Sequence, residues 1–172
     1  MWSILPYRAV VEISGKDRLS FLNGLVTQEL ANLSERPCYS LMLTAKGRYA
    51  WDFFLVAHQD KIWMTPGSDH LEDFLKKLSL YRLRSDVAFH VIEDYVVAAG
   101  KGCGTTFLEA EVFQDPRNNA LGDIFLGPRH EIEAETSLRV YEDQRLRLNI
   151  PEGSLDLEWQ KTIPLEAQNG ST

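Results

Sequence analysis

The order of elements predicts an α+β protein in which helices pack on largely antiparallel sheets. Strand-like runs at 38–44, 48–57 and 61–64 follow one another through short turns, as in an antiparallel meander. Residues 68–81 place Leu71, Phe74, Leu75 and Leu78 at the i, i+3, i+4, i+7 spacing of an amphipathic helix. The 172 residues, 44% of them hydrophobic, are enough for one substantial core.

Residues 7–13 read as a strand, after which Ser14 and Asp17 have the spacing of a capping box. A helix is therefore expected through Leu19, Leu22, Leu25, Val26 and Leu30, ending near Asn32. Strands 38–44 and 48–57 are joined by Ala45, Lys46 and Gly47, whose glycine can take the positive φ of a hairpin. The helix at 68–81 carries Asp69, Glu72 and Asp73 in its first turns and Lys76, Lys77, Arg82 and Arg84 towards or beyond its end, complementing the macrodipole. Two strands follow at 86–92 and 95–99. Residues 101–129 are punctuated by Gly, Pro, Asn and Asp, with short strands expected at 110–113 and 122–126. A further strand through 130–134 and a helix over 136–148, stopped ahead of Pro151, complete the prediction; beyond Pro151 the chain reads as irregular.

Composition excludes several functions. A net charge of −7 lacks the basic surplus of a dedicated nucleic-acid binder, so no direct nucleic-acid contact is expected. Lys76 and Lys77 with Arg82 and Arg84 form the only compact basic group. The longest apolar runs fall far short of the roughly 20 residues of a membrane helix, so no membrane contact is expected. Residues 1–6 do not resemble a secretory signal, and two cysteines make no disulfide framework; a reducing cytoplasm is the expected location. The four histidines are scattered and none has metal-ligand spacing with Cys38 or Cys103, so no metal site is expected. Gly100, Gly102 and Gly104 lack the Gly-Lys-Ser/Thr ending of a phosphate loop, and no Gly-x-Ser-x-Gly elbow is present.

Asp52 is the most informative residue. On its strand Tyr49, Trp51, Phe53 and Leu55 point one way and Ala50, Asp52, Phe54 and Val56 the other, so both faces read as buried. A carboxylate in that row must be protonated, paired with a base such as an arginine, hydrogen-bonded, or open to a ligand cavity. Arg82 and Arg84, at alternate positions of an extended segment, would share one side and could bind a carboxylate or phosphate; a solvated helix end is the alternative.

Several stretches in order resemble the YgfZ-type family of folate-binding, iron–sulfur-cluster maturation proteins, relatives of the glycine cleavage T-protein. They are Ile13-Ser-Gly-Lys-Asp-Arg-Leu-Ser-Phe-Leu-Asn-Gly-Leu-Val-Thr-Gln-Glu-Leu30, Leu43-Thr-Ala-Lys-Gly-Arg-Tyr-Ala-Trp-Asp-Phe-Phe-Leu55, Ser79-Leu-Tyr-Arg-Leu-Arg-Ser-Asp-Val87, Gln114-Asp-Pro-Arg117, Asn149-Ile-Pro-Glu-Gly153 and Pro164-Leu-Glu-Ala167. The resemblance implies a ferredoxin-like, T-protein-type domain over 1–172 with tetrahydrofolate as cofactor. Its implied partners are iron–sulfur proteins or cluster-assembly factors, with any link to tRNA modification indirect. The implied location is the cytoplasm, or the mitochondrial matrix in a eukaryote.

Residue by residue, Asp52 matches the second of two adjacent acids of T-proteins, which implies a carboxylate that could bind the pterin's donor-rich edge; the first acid is replaced by Trp51, which argues against true aminomethyltransferase activity. Glu166 matches a glutamate that can accept the pterin amide edge. Thr27 and Gln28 match the polar end of the first helix, and Arg48 and Arg82 match recurrent arginines that are structural or face the folate tail. The family's Lys-Gly-Cys-Tyr-x-Gly-Gln-Glu motif has no counterpart; Lys101, Gly102 and Cys103 copy three letters at another place, so no reactive-cysteine role is carried to Cys103. The expected architecture thus lacks that motif and the C-terminal barrel, one module of a larger whole. An aminomethyltransferase and a non-catalytic scaffold are the alternatives to a folate-binding assembly accessory.

Overall fold

A computed structural model describes residues 1–102, 106–133 and 136–164. They form two antiparallel sheets, as the sequence predicts. Nine strands are described: β1 (Trp2–Ile4), β2 (Val11–Ser14), β3 (Cys38–Leu43), β4 (Tyr49–His58), β5 (Lys61–Met64), β6 (Ala88–Val91), β7 (Tyr95–Gly100), β8 (Glu111–Gln114) and β9 (Asp123–Pro128). The helices are α1 (Arg18–Asn23), α2 (Leu71–Arg82), α3 (Leu138–Arg147) and α4 (Gly153–Asp156). One sheet has the order β1-β7-β9-β8 and the other β3-β4-β5-β2-β6.

The long strand β4 explains how these layers stack. Trp51, Phe53 and Leu55 join a core with Leu22, Phe74 and Leu78 under α1 and α2. From its other face, Phe54 and Val56 pack with Val97, Ile124 and Leu126 of the four-stranded sheet. Both faces of β4 are therefore buried, as its alternation requires. The far side of the four-stranded sheet carries a third core of Trp2, Ala98, Phe125 and Ile132.

Five expectations change. The first strand begins at Val11 rather than residue 7, because residues 5–10 cross between the sheets: the Leu5 amide donates to Val97 O and the Ala9 amide to Pro66 O. The helix after Asp17 stops at Asn23, where Gly24 follows and Asn23 Oδ1 instead accepts from the Leu30 amide at 2.8 Å. Leu25, Val26 and Leu30 still reach the core, so the apolar stripe is real although the helix is short. No capping box forms; Asp17 Oδ2 accepts from the Asp86 amide at 2.8 Å, across a turn in which Gly15 has φ +103° and packs against the Asp86 carbonyl. Residues 129–131 form a 3-10 turn instead of a strand, and residue 134 lies outside the described residues. Beyond Pro151, α4 adds a turn of helix against β4.

The packing of α2 predicts a sharp contrast. Leu78→Ala should cost about 2–5 kcal/mol through the cavity it leaves, whereas Leu80→Ala, 72% exposed, should stay within about 0.5 kcal/mol in urea unfolding.

Candidate functional site

Asp52 is buried between the two sheets, its side chain only 1% exposed. Its Oδ2 accepts from Arg8 Nη2 at 2.5 Å and from the Tyr39 hydroxyl at 2.6 Å, while Oδ1 accepts from the Tyr49 hydroxyl at 2.6 Å. Of the environments open to it, the arginine pair with hydrogen bonds is the one present.

Tyr49 reaches this carboxylate because of a β-bulge. Pairing with β3 passes from Met42 opposite Trp51 to Leu43 opposite Tyr49, leaving Ala50 as the extra residue. Strict alternation places Tyr49 on the face away from Asp52; the bulge turns it back.

Arg8 comes from the crossing segment and also donates through Nη1 to the carbonyls of Thr65, at 2.8 Å, and Asp52, at 3.2 Å. It makes a close ion pair with Glu152, which also receives Arg117 Nη1 at 3.0 Å. Arg117 is clamped by Asp115, with Nε to Oδ1 at 3.0 Å and Nη2 to Oδ2 at 2.8 Å, and donates to the Tyr141 hydroxyl at 2.6 Å. The Phe54 ring lies under both guanidiniums, 5.1 Å from Arg8 and 4.8 Å from Arg117. Glu152 is itself held: its amide donates to Asp156 Oδ2 at 2.7 Å, and Asp156 receives Arg145 Nη1 at 2.5 Å.

The electrostatics follow from this geometry. Burial would raise the Asp52 carboxyl, but Arg8 and the two tyrosines outweigh it and hold it below its ordinary value, as a carboxylate. Burial and then the Asp52 charge push the hydroxyls of Tyr39 and Tyr49 up, so both stay protonated as donors. Burial lowers Arg8, yet Asp52 and Glu152 more than restore it, keeping it charged. A carboxylate so placed has no proton to give and no open side.

The other nominated residues do not converge on Asp52. The Thr27 hydroxyl lies 3.2 Å from Ser40 Oγ, which accepts from the Gln28 amide at 3.1 Å; Thr27 and Gln28 are both exposed. Arg48 Nη1 donates to Lys161 O at 2.5 Å in the turn that pairs with Tyr49. Arg82 is exposed at the end of α2, and the pairing of Arg82 with Arg84 on an extended segment does not occur: Arg82 is helical and Leu83 turns the chain at φ 44°, ψ −106°. Glu166 and Cys103 lie outside the described residues.

Arg8, Tyr39, Tyr49, Asp115, Arg117, Tyr141 and Glu152 were not nominated. Tyr49, Asp115, Arg117 and Glu152 sit inside motif stretches quoted above, so the ordered motif set was the signal for them. Arg8 left none, since only the crossing segment brings it to Asp52.

Beside the network, separated from Asp52 by Tyr49 and Gly153, is a slot of about 120 Å³ lined by Trp51, Asp69, His70, Ser154 and Trp159 among others. His70 stacks on Trp159 at 4.1 Å, the Trp51 indole N–H donates to His70 O at 3.3 Å, and the buried Trp159 indole nitrogen has no hydrogen-bond partner. The slot therefore combines aromatic faces, a carboxylate and a spare donor. The sealed Asp52 does not fit a pterin edge; the slot supplies the group types that would. Elsewhere Glu109, His130 and Glu131 bring ligand-type atoms within 4.8 Å of one another, but Glu131 Oε1 already accepts from the amides of Leu108 and Glu109.

Two stacked antiparallel sheets with this connectivity define a T-protein-type fold. The glycine cleavage system aminomethyltransferase T from Bartonella henselae superposes with a TM-score of 0.59 at 13% identity, over 92% of this chain and 46% of that one. In sequence the chain is similar to the iron-sulfur cluster assembly factor IBA57, mitochondrial, of Mus musculus, at 29% identity over 198 residues, 95% of this chain and 54% of that protein. It is also similar to the IBA57 homologs, mitochondrial, of Dictyostelium discoideum, 26% identical over 94% of this chain and 52% of the relative, and Pyricularia oryzae, 23% identical over 96% and 47%. The chain spans about half the length of these curated relatives. No family model matches it. The resemblance seen in the motifs is thus borne out in sequence and in fold. Among the described residues no helix is long and apolar enough to cross a membrane.

Asp52→Ala, which removes one of the two buried carboxylates that pair Arg8 and takes the acceptor from the Tyr39 and Tyr49 hydroxyls, should lower stability by about 3–5 kcal/mol in urea unfolding. Gly153→Ala should also destabilise, because a Cβ there would overlap Asp52 Oδ1 and the Tyr49 hydroxyl. The folded Asp52 titrates below the unfolded value of about 3.9; its contribution is therefore complete above about pH 4 and is lost as pH falls through the lower folded value. Asp52→Asn should flatten that acid limb when unfolding is followed against pH.

Proposed function

We propose that this chain is an accessory module of iron–sulfur cluster assembly and that it holds a reduced folate in the slot of Trp51, Asp69, His70 and Trp159. The observation that carries the assembly role is similarity to IBA57 factors along 94–96% of the chain. It acts on partner iron–sulfur proteins or assembly factors, in the cytoplasm of a bacterium or the matrix of a mitochondrion.

The geometry favours this over aminomethyl transfer. Folate chemistry of that kind calls on an acid pair beside the reacting nitrogen, and here one member is Trp51 and the other is sealed by Arg8, Tyr39 and Tyr49. What is left is binding. A volume of about 120 Å³ corresponds to about four waters, room for one edge of a pterin ring. The Asp69 carboxylate would accept from its donor edge and Trp159 would stack on it or donate to it.

Two measurements separate the parts of this reading. Titration of the chain with tetrahydrofolate, followed by tryptophan quenching, should give saturable binding that weakens at least about tenfold, or 1.4 kcal/mol, in Asp69→Asn and in Trp159→Ala. Absence of binding by the wild-type chain removes the folate. Independently, cells lacking the gene should lose activity of [4Fe–4S] enzymes and regain it on complementation; unchanged enzyme activities remove the assembly role.

A further inference from the structure

The end of α2 is built unlike the rest of the surface. Residues 76–84 contain Lys76, Lys77, Arg82 and Arg84 and no acid, in a chain of net charge −7. Lys76 is paired with Glu72 at 2.8 Å, and Lys77 lies over the Tyr81 ring at 5.0 Å. Among the described residues Arg82 and Arg84 have no carboxylate partner.

Between these cations the helix presents apolar side chains outward. Leu80 is 72% exposed, Tyr81 45% and Leu83 86%. Leu83 is also the C-cap, at φ 44° and ψ −106°, a left-handed conformation in which a side chain with Cβ is disfavoured and glycine is the usual choice. Holding a leucine there, exposed, at the rim of a shallow groove lined by Asp17, Leu83, Arg84 and Ser85, costs backbone strain with no packing in return within the chain.

We propose that this turn is a docking surface for an acidic segment of a partner protein, with Leu83 entering an apolar socket and Arg82 and Arg84 pairing with flanking carboxylates. Charge complementarity selects the occupant. A nucleic acid would meet the cations but gives exposed leucines no role. An anionic membrane is a plane, and would meet the exposed Asp86 two residues beyond Arg84 and the Asp17 that lines the same groove; a shaped protein surface avoids them. Arginine and tyrosine around an apolar anchor are also the side chains that dominate protein interfaces. The proposal is independent of folate binding.

The test places a photo-crosslinker, Leu83→p-benzoylphenylalanine, in the protein expressed in living cells and sequences the crosslinked segment. The expected product is one protein joined through a peptide rich in Asp and Glu, with yield falling about tenfold or more when Arg82→Glu and Arg84→Glu are added. Thermal unfolding confirms that the variants fold, and Arg82→Gln with Arg84→Gln replaces the reversals if it is lowered. Crosslinks to lipid, to RNA, to a second copy of the chain or to a non-acidic peptide overturn the proposal, as do a yield indifferent to the charges and the absence of any product.

Discussion

Arg8 holds Asp52 and Glu152 in the interior, and the rest of the molecule is arranged around that fact. Two guanidiniums, three carboxylates and three phenols meet between the sheets with Phe54 at their centre. Removing such charges from water costs several kcal/mol per ion, which close pairing and hydrogen bonding offset, although the buried Arg8 Nε has no hydrogen-bond partner. The elements that supply those partners are consequently not free to move independently. The crossing segment, β4, the loop after β8 and the segment before α4 each contribute at least one, so the network ties the four-stranded sheet to the five-stranded one.

That arrangement decides where ligand chemistry can take place. In a half-open strand Asp52 would be a ready acceptor for a donor-rich ligand; here arginine and tyrosine already supply those donors. Gly153 seals the remaining approach, since only a residue without Cβ fits against the carboxylate. The aromatic slot around Trp159 lies one layer outward from it.

Much of the secondary structure was legible because it rests on local periodicity. Strand β5 was expected over 61–64 and occupies those residues, and α2, expected over 68–81, forms over Leu71–Arg82. Misplaced elements were those in which tertiary hydrogen bonds displaced local preference: Asn23 turning from its helix to the Leu30 amide, and residues 5–10 giving the Leu5 amide to Val97 of β7 and the Ala9 amide to Pro66 beyond β5. The bulge at Ala50 is of the same kind. It shifts one residue on a strand whose pattern is otherwise regular, and so moves Tyr49 to a face that alternation denies it.

The sequence by itself determined that Asp52 lies in an apolar row and must be paired, hydrogen-bonded or opened to a ligand, because no buried carboxylate is stable otherwise. It also determined the antiparallel α+β class and the ordered motif set on which the family resemblance rests. Only the tertiary structure decided among the environments of Asp52. Arg8, Tyr39 and Glu152 lie 44, 13 and 100 positions from it along the chain, and no local spacing connects them. Their meeting depends on how two sheets stack, which is a property of the packed chain and not of any one segment.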